Sequence, residues 1–460
     1  MFSSIKKIHF IGIGGIGMSG IAEILLDQGF AVSGSDRALS EVTERLQQLG
    51  AVVLEGHKTG NIAADVDTVV YSSAVAPDNP EVQEAYRRKI PVVRRAEMLA
   101  EVMRLKYGIG IAGTHGKTTT TSMISLVLME GGLDPTVIVG GKLSGLGGTN
   151  ARLGKGEFIV VEADEFDRSF LSLTPTIAVL TTLETDHLDC YRDLEDIKGA
   201  FIQFASRVPF YGFIVLCLDE PALLDIMPTL NKKKIITYGL NPQADVQAIE
   251  LRHRENHTTF TVLRGSQELG EVTIQVPGKH NVQNALAAIT VGLELNVPFG
   301  RIKSGIERFS GVYRRWEKKG EAKGVTVYDD YAHHPTECKA TLSGVKAGWR
   351  RRVVCVFQPH LYTRTRDFYE EFGKGFLLSD VLIVTDIYPA REEPIQGVTG
   401  LLIANAAKQF GHKDVHYVPD KTKVSSYLRT VVKDGDIVIT MGAGDIWKFG
   451  EQFLKEHRSA

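Results

Sequence analysis

The sequence predicts an α/β protein of three domains built on mainly parallel sheets, and three observations carry that prediction. Short runs rich in β-branched residues alternate with helical periodicity through most of the chain, the pattern of stacked βα layers. Two of these runs pass directly into glycine-rich loops, at Gly12–Gly17 and Gly113–Thr119, each followed by a helical pattern. The length of 460 residues exceeds what one hydrophobic core organises, so roughly three domains are expected.

Taken in order, the first block opens with a strand over Ile8–Ile13 and a helix over Ile16–Gln28 that puts Ile21, Ile24 and Leu25 on one face. Further strands are expected at Val32–Ser33, Val52–Leu54, Val69–Ser72 and Pro91–Val93. A fresh strand at Gly108–Ala112 ends this block at residue 107. The second block, 108–311, continues with strands at Phe158–Glu162, Ile177–Thr182, Phe213–Leu218 and Lys234–Tyr238. It then changes character, because Val246–Arg252, Thr258–Leu263 and Leu269–Val276 read as alternating antiparallel strands, before Gly278–Leu295 returns to helix. The third block, 312–460, has strands at Val325–Tyr328, Arg352–Phe357, Val381–Asp386, Val415–Val418 and Asp436–Met441.

Composition narrows the function classes. A formal net charge of -2 provides no global field to recruit nucleic acid or an anionic membrane. The basic runs Lys232–Lys234 and Arg350–Arg352 read as solvated flanks of strands. Cys190, Cys217, Cys338 and Cys355 are scattered, without the spacing of a zinc site or a disulfide framework, which fits reduced thiols. The N-terminus lacks a signal-peptide pattern and no apolar run is long enough to span a bilayer, so a cytoplasmic protein is expected.

The chemistry-bearing motifs fall where strands are expected to end. Gly113-Thr114-His115-Gly116-Lys117-Thr118-Thr119 reads as a phosphate-binding loop: glycines let amides converge on phosphate oxygens, Lys117 reaches the outer phosphates and the Thr118 hydroxyl suits Mg²⁺. Ile111 stands where the longer form of this loop has glycine, so the loop is a short variant. Gly12-Ile13-Gly14-Gly15-Ile16-Gly17, with Asp36 ending the second strand, fits a nucleotide diphosphate on a helix N-terminus. A dinucleotide and a sugar nucleotide satisfy it equally. Glu162–Glu165 places carboxylates at the C-terminal end of an apolar strand, where one near Thr118 can share a metal ion. Asp186–Asp189 follows another strand, although His187 is a poor chemical match to hard Mg²⁺. The densest cluster, Asp329–Glu337, combines acids with His333 and His334 and suits general base work or anion stabilisation. Arg314, Arg315, His360, Arg364 and Arg366 add cations suited to a phosphoryl group or a substrate carboxylate.

In this order, from Gly12–Gly20 through Arg94–Leu99, Gly113–Thr119, Glu162–Asp167, Asp186–Tyr191, Gly278–Asn281 with Asn284, Arg314-Arg315, Asp329–Glu337, Gln358–Thr365, Tyr388-Pro389 and Met441–Asp445, the chain resembles the Mur ligases end to end. The resemblance implies a Rossmann-like N-terminal domain (1–107) for a UDP-substrate, a central P-loop ATPase-type α/β domain (108–311) with added antiparallel strands, and a Rossmann-like C-terminal domain (312–460) for the amino acid. Within the family the motifs sit nearest the branch joining L-alanine to the lactyl carboxylate of UDP-N-acetylmuramate through an ATP-derived acyl phosphate. The resemblance further implies that Gly113–Thr119 with Asn284, Arg315 and Asp330 bind ATP, Asn284 at the adenine. It assigns Thr118, Glu162 and His187 to Mg²⁺, and Lys117, Arg315, Asp330 and His333 to catalysis. It assigns Gly12, Gly14, Gly15, Gly17, Asp36, Ser73, Tyr331, His360 and Arg364 to the substrates.

Some positions depart from the family pattern. Leu361 stands where some members have arginine, Ala332 where many have glycine, and Lys198 lies in the region of a modified, metal-bound lysine without aligning to it. Small-molecule substrates are expected, with no nucleic acid and no membrane insertion; monomer and homodimer both stay open. Three other readings stand beside the ligase: a murein tripeptide ligase acting on the same sugar nucleotide, an NAD-dependent oxidoreductase built on Gly12–Gly17, and a nucleotide-gated binding module without chemistry, against which the catalytic-type residues at strand ends argue.

Overall fold

The computed structural model describes residues 5–72, 74–143, 149–185, 190–390 and 392–459. The described residues form an α/β structure with three sheets. The first is wholly parallel, with β1 (Lys7–Ile11), β2 (Ala31–Asp36), β3 (Val52–Glu55), β4 (Thr68–Tyr71) and β5 (Val92–Arg94) in the order β3-β2-β1-β4-β5. The second contains β6 (Tyr107–Ala112), β7 (Thr136–Leu143), β8 (Thr149–Arg152), β9 (Phe158–Ala163), β10 (Ile177–Leu180), β11 (Phe213–Cys217) and β12 (Ile235–Gly239). It continues into β13 (Val246–Arg254), β14 (His257–Arg264) and β15 (Gln267–Ile274), in the order β15-β14-β13-β12-β11-β10-β6-β9-β7-β8. Two-residue connections at Glu255-Asn256 and Gly265-Ser266 join the last three strands, which only antiparallel pairing permits.

The third sheet has β16 (Glu317–Ala322), β17 (Val325–Asp330), β18 (Val353–Phe357), β19 (Val381–Val384), β20 (Val415–Tyr417) and β21 (Ile437–Met441), in the order β16-β17-β21-β18-β19-β20. By internal contacts the chain divides into two compact units. One comprises Met1–Ile249, Thr261–Val272 and Gln283–Phe309; the other comprises Glu250–Phe260, Thr273–Val282 and Ser310–Ala460.

Three strands go beyond the sequence expectation: β7, β8 and β16. The glycine pair in β7 interrupts its apolar run, β8 is short and polar, and β16 reads Glu-Lys-Lys-Gly-Glu-Ala. The last is an edge strand paired antiparallel to β17, and such charge is what keeps an edge from pairing with another chain. Periodicity cannot detect a strand whose composition is set by its edge position.

Each sheet is held by the elements that cover it. Helix Lys117–Glu130 is buried over Thr119–Leu128 on every face, and Gly305 lets helix Phe299–Glu307 approach so closely that a Cβ there would lie 2.8 Å from the Val127 Cα. Helix Ile16–Asp27 of the first sheet meets β8 of the second, where a Cβ on Gly20 would stand 3.1 Å from that of Ala151. In the third sheet alternate residues separate two cores. Cys355 and Phe357 join Trp316, Tyr328, Phe372 and Phe376 on one face, while Val354 and Val356 join Leu428 and Phe453 on the other. Burial on both faces explains why β18 reads as an unbroken apolar run.

One buried ion pair ties this third sheet to its loops. Arg314 Nε donates to Asp329 Oδ2 at 2.9 Å, and its other nitrogens donate to the carbonyls of Gly442 at 2.6 Å and Gly444 at 2.9 Å. Asp329 is fully buried and also accepts the Thr440 hydroxyl at 2.7 Å. Arg314→Ala leaves that carboxylate without its cation, and such losses cost about 3–5 kcal/mol. The expected outcome is a lower urea midpoint for this unit; an unchanged midpoint would show the pair to be dispensable.

Candidate active site

The phosphate loop leaves β6 at Ala112 and enters helix Lys117–Glu130. Gly113 (φ 155°) and Gly116 (φ 80°) adopt backbone that favours glycine. A Cβ at Gly113 would fall 1.9 Å from Thr181 Oγ1, and one at Gly116 2.5 Å from Asn284 Oδ1. The residues just beyond β10 clamp the loop. Thr114 N donates to Thr182 O at 3.1 Å, His115 N to Thr182 Oγ1 at 2.7 Å, and Thr181 Oγ1 to His115 O at 2.6 Å. Neither threonine was singled out by its sequence, because a hydroxyl at a strand end carries no motif. Asn284 is buried behind the loop, where its Oδ1 accepts the Thr120 hydroxyl at 3.1 Å.

Lys117 Nζ donates to Gly113 O at 2.7 Å and to both oxygens of Glu165, at 2.7 and 2.9 Å. Burial opposes the ammonium charge, but Glu165 and Asp164 outweigh it and hold the pKa above the ordinary lysine value. Thr118 Oγ1 donates to Glu162 Oε2 at 3.2 Å, while Gly140 N donates to Glu162 Oε1 at 2.9 Å. Burial raises the Glu162 carboxyl pKa against those hydrogen bonds. Thr118 and Glu162, predicted together from sequence, are therefore adjacent; His187 lies outside the described residues. Lys198 Nζ is engaged by Glu195 at 2.8 Å and Asp225 at 2.9 Å, contacts that raise its pKa and disfavour the neutral amine a covalent modification needs.

The first glycine loop is set by β2. Gly12 N donates to Ser35 O at 2.8 Å and Gly14 N to Asp36 Oδ2 at 2.8 Å. Gly12, Gly14, Gly15 and Asp36 line a cavity of about 660 Å³, within the range of small-ligand sites. His57 also lines it and was not singled out by the sequence. Gly17 faces the Arg95 guanidinium, with its Cβ position 3.0 Å from Arg95 Nη1, and Ser73 lies outside the described residues.

In the second unit the loops after β17, β18 and β19 bring Tyr331, His333, His360 and Tyr388 together with Arg315, which stands just before β16. The Arg314 and Arg315 guanidinium groups lie 5.0 and 5.1 Å from the centre of the Tyr331 ring. His333 sits 5.3 Å from that ring and 5.8 Å from His360, which stacks on Tyr388 at 5.9 Å. Glu337 accepts from the backbone of His333 at 3.0 Å and of His334 at 3.2 Å, and its other oxygen pairs with Arg315 at 3.3 Å.

Asp330 is held differently. Ala332 N donates to it at 2.8 Å and Trp316 N at 3.1 Å, and burial pushes its carboxyl up to about 6 despite Arg315. Arg364 is buried on the first turn of helix Tyr362–Gly375. Just before it, Leu361 is held at φ 71° and ψ 138° by its bond to Tyr388 O, a conformation that strains a branched residue.

A second titrating group flanks the phosphate loop. Glu220 follows β11, and burial followed by the nearby Glu184 charge pushes its carboxyl up to about 7, against the opposing effect of His115. A folded-state pKa raised above the ordinary carboxyl range means stability is highest at low pH and is lost as pH climbs from about 4 to about 7. Glu220→Gln removes that cost. Its thermal midpoint is expected to exceed that of the parent by a few degrees at pH near 8 and to match it near pH 5. A gap that does not change with pH would overturn this assignment.

Comparison with known proteins agrees with this arrangement. Residues 7–107 match the Mur ligase family catalytic domain, 111–292 the Mur ligase middle domain, and 314–444 the Mur ligase glutamate ligase domain. The chain is 56% identical over 456 residues to a UDP-N-acetylmuramate–L-alanine ligase of Geotalea uraniireducens, covering 99% of each chain. It is 55% identical to the same-named protein of Geotalea daltonii over 100% of both chains. Among solved structures, the UDP-N-acetylmuramate-alanine ligase MurC of Thermotoga maritima superimposes with a TM-score of 0.81 at 28% identity, covering 98% of this chain and 99% of that one. A murein peptide ligase of Psychrobacter arcticus shares the fold at a TM-score of 0.70 and 24% identity, covering 99% of each chain. With identity above half along its whole length to curated members, the chain belongs to the Mur ligase family.

Proposed function

We propose that this chain is an ATP-dependent ligase that joins L-alanine to the lactyl carboxylate of UDP-N-acetylmuramate, a cytoplasmic step in bacterial peptidoglycan precursor synthesis. The observation that carries the proposal is the Lys117–Thr118–Glu162 constellation in a chain 56% identical, end to end, to a ligase of that name. We assign the sugar nucleotide to residues 1–107, ATP to 108–311 and the amino acid to 312–460. Among the described residues no helix is long and apolar enough to cross a membrane.

The loop amides of Gly113–Thr119 would cradle the phosphates while Lys117 exchanges its Glu165 partner for the outer phosphate, and buried Asn284 is the candidate for the adenine contact. Thr118 and Glu162 offer hard oxygen donors at 3.2 Å from one another, a fit to Mg²⁺, and His187 is the further ligand the resemblance suggests. Bound there, the ion would neutralise charge on the phosphoryl group in flight.

Activation makes the lactyl carboxylate an acyl phosphate; the alanine amine then attacks the carbonyl carbon and phosphate departs. In the second unit, Arg315 and Arg364 are suited to anionic oxygens. His333, whose Nδ1 faces Tyr331 O at 3.0 Å, can direct its other nitrogen at the reacting groups, with Tyr331 and His360 flanking it. Asp330 would orient Arg315 from its buried position. Gly12, Gly14, Gly15 and Gly17, with Asp36 and Ser73, form the sugar-nucleotide side.

Phosphate release is expected only when ATP, UDP-N-acetylmuramate and L-alanine are all present. A murein tripeptide that replaces alanine with equal efficiency would favour the neighbouring ligase branch, and release without an acceptor amine would sink the proposal. Two variants test the loop. Lys117→Ala is expected to lower kcat by about 100-fold or more, the scale of a lost transition-state contact. Thr181→Val, which removes the shorter of the two threonine hydroxyl bonds to His115 O, is expected to raise the KM for ATP by about tenfold while leaving sugar-nucleotide affinity unchanged.

A further inference from the structure

A second cavity lies at the far edge of the central sheet, and the proposed ligation does not use it. Its volume is about 640 Å³, and it opens where β6, β9 and β10 begin, beside Tyr107, Glu157 and Thr176. The phosphate loop leaves the opposite end of β6, a strand of 6 residues. At ~3.3 Å per residue the two places stand ~20 Å apart, so one ligand cannot occupy both.

Arg104, Lys106, Lys155 and Arg207 line this cavity, with Glu157 as the acid among them. Arg104 is paired with Glu101 at 2.5 Å. Among the described residues, no carboxylate stands within ion-pairing distance of the other three cations. Arg207 Nη1 donates to Leu173 O at 3.3 Å, and the Lys106 ammonium donates to Gly154 O at 2.6 Å and Gly156 O at 2.7 Å. Those two carbonyls are fixed by close packing. A Cβ on Gly154 would fall 2.1 Å from Asp134 O, and one on Gly156 1.8 Å from Leu133 O, so only glycine lets this turn press onto Leu133–Pro135.

Carbonyl dipoles solvate the Lys106 charge without neutralising it, and burial lowers the Lys106 pKa. Asp134 opposes that shift, but its carboxylate is already engaged by Arg152 and by the Lys155 amide at 2.8 Å. Arg104 and Arg207 each end a helix, where a cation is favourable in its own right. Lys106 and Lys155 end none, so helix capping does not account for them. A partly desolvated cation held in place without a counter-charge is stabilised by an anion that enters beside it.

We propose that this cavity is a binding site for a compact polyanion of the oligophosphate class, held by Lys106, Lys155 and Arg207. A lone carboxylate would answer only one of the three unpaired charges. A diphosphate carries several, and its oxygens suit both the guanidinium fork and the ammonium groups.

Calorimetric titration of the full chain with inorganic pyrophosphate tests this, with citrate as a polyanion of another class. Submillimolar pyrophosphate binding is expected to persist in Lys117→Ala, whose phosphate loop has lost its lysine. Adding Lys106→Met and Arg207→Met to that variant is expected to weaken binding about tenfold or more. In the parent, the same pair is expected to leave kcat and the KM for ATP unchanged. Lys155→Glu reverses an exposed charge without disturbing packing, and is expected to weaken pyrophosphate about threefold or more. An unchanged affinity in Lys155→Glu would overturn the proposal even where the paired variant fails to fold. Loss of all pyrophosphate binding in Lys117→Ala would do so by returning the ligand to the phosphate loop, and citrate binding more tightly than pyrophosphate would overturn the ligand class.

Discussion

The phosphate loop depends on the register between β6 and β10. Pairing of Ala112 with Leu180 ends both strands at the same level, so the next residues on each, Gly113–His115 and Thr181-Thr182, meet as loops. The clamp of threonine hydroxyls on loop backbone is the direct result, and a one-residue slip would turn both hydroxyls to the other face. The same handover recurs in the other sheets. Ile11 pairs with Ser35, and the next residue, Gly12, bonds Ser35 O. Asp330 pairs with Met441, and Gly442 N donates to Asp330 O at 3.1 Å. Parallel strands end on one edge, so each sheet delivers its polar loops to one place while its body stays apolar.

Burial then sorts residues that a sequence presents as equals. Arg314 and Arg315 are neighbours, yet the first is enclosed by Asp329 and three carbonyls while the second keeps 33% of its side chain exposed beside Glu337. A guanidinium whose donors hold loop carbonyls organises the site; one left partly open is free to meet an anionic group. Asp329 and Asp330 divide similarly from Asp164 and Glu337, which lie closer to the surface of their clusters. The raised carboxyl of Asp330 reflects burial, which outweighs the opposing pull of Arg315 and of the Ala332 amide.

Much of this was legible beforehand because strands buried on both faces have distinctive composition. β9, β10, β11, β18, β19 and β21 appear at the expected places, each shifted by no more than two residues. The glycine loops were legible because glycine is required where backbone turns left-handed beside another chain segment. What escaped has a common physical cause. Thr181 and His57, and the pairing of Glu165 with Lys117, depend on partners distant in sequence, His115 for Thr181 and Ser35 and Glu81 for His57, and no local pattern records such a partner. β16 and β8 escaped for the opposite reason: their composition answers to an exposed edge and a short span. The adenine assignment for Asn284 came from resemblance alone, and its structural contact, to Thr120, belongs to the back of the loop.

The charge around Lys117 leads to one more step. Its ammonium is surrounded by Glu162, Asp164 and Glu165, so the loop that is to receive a polyanion is itself ringed by acids. Coulomb repulsion between such carboxylates and a triphosphate amounts to several kcal/mol per close pair at the dielectric of a partly buried site, more than the loop amides recover. The divalent cation proposed for Glu162 and Thr118 would offset that repulsion. The buried, raised carboxyl of Glu162 fits that view, because its desolvation is relieved by a cation and worsened by a bare phosphate. The acids that look misplaced in a phosphate site thus support, from this chain's own residues, the proposal that its nucleotide is bound as a metal complex.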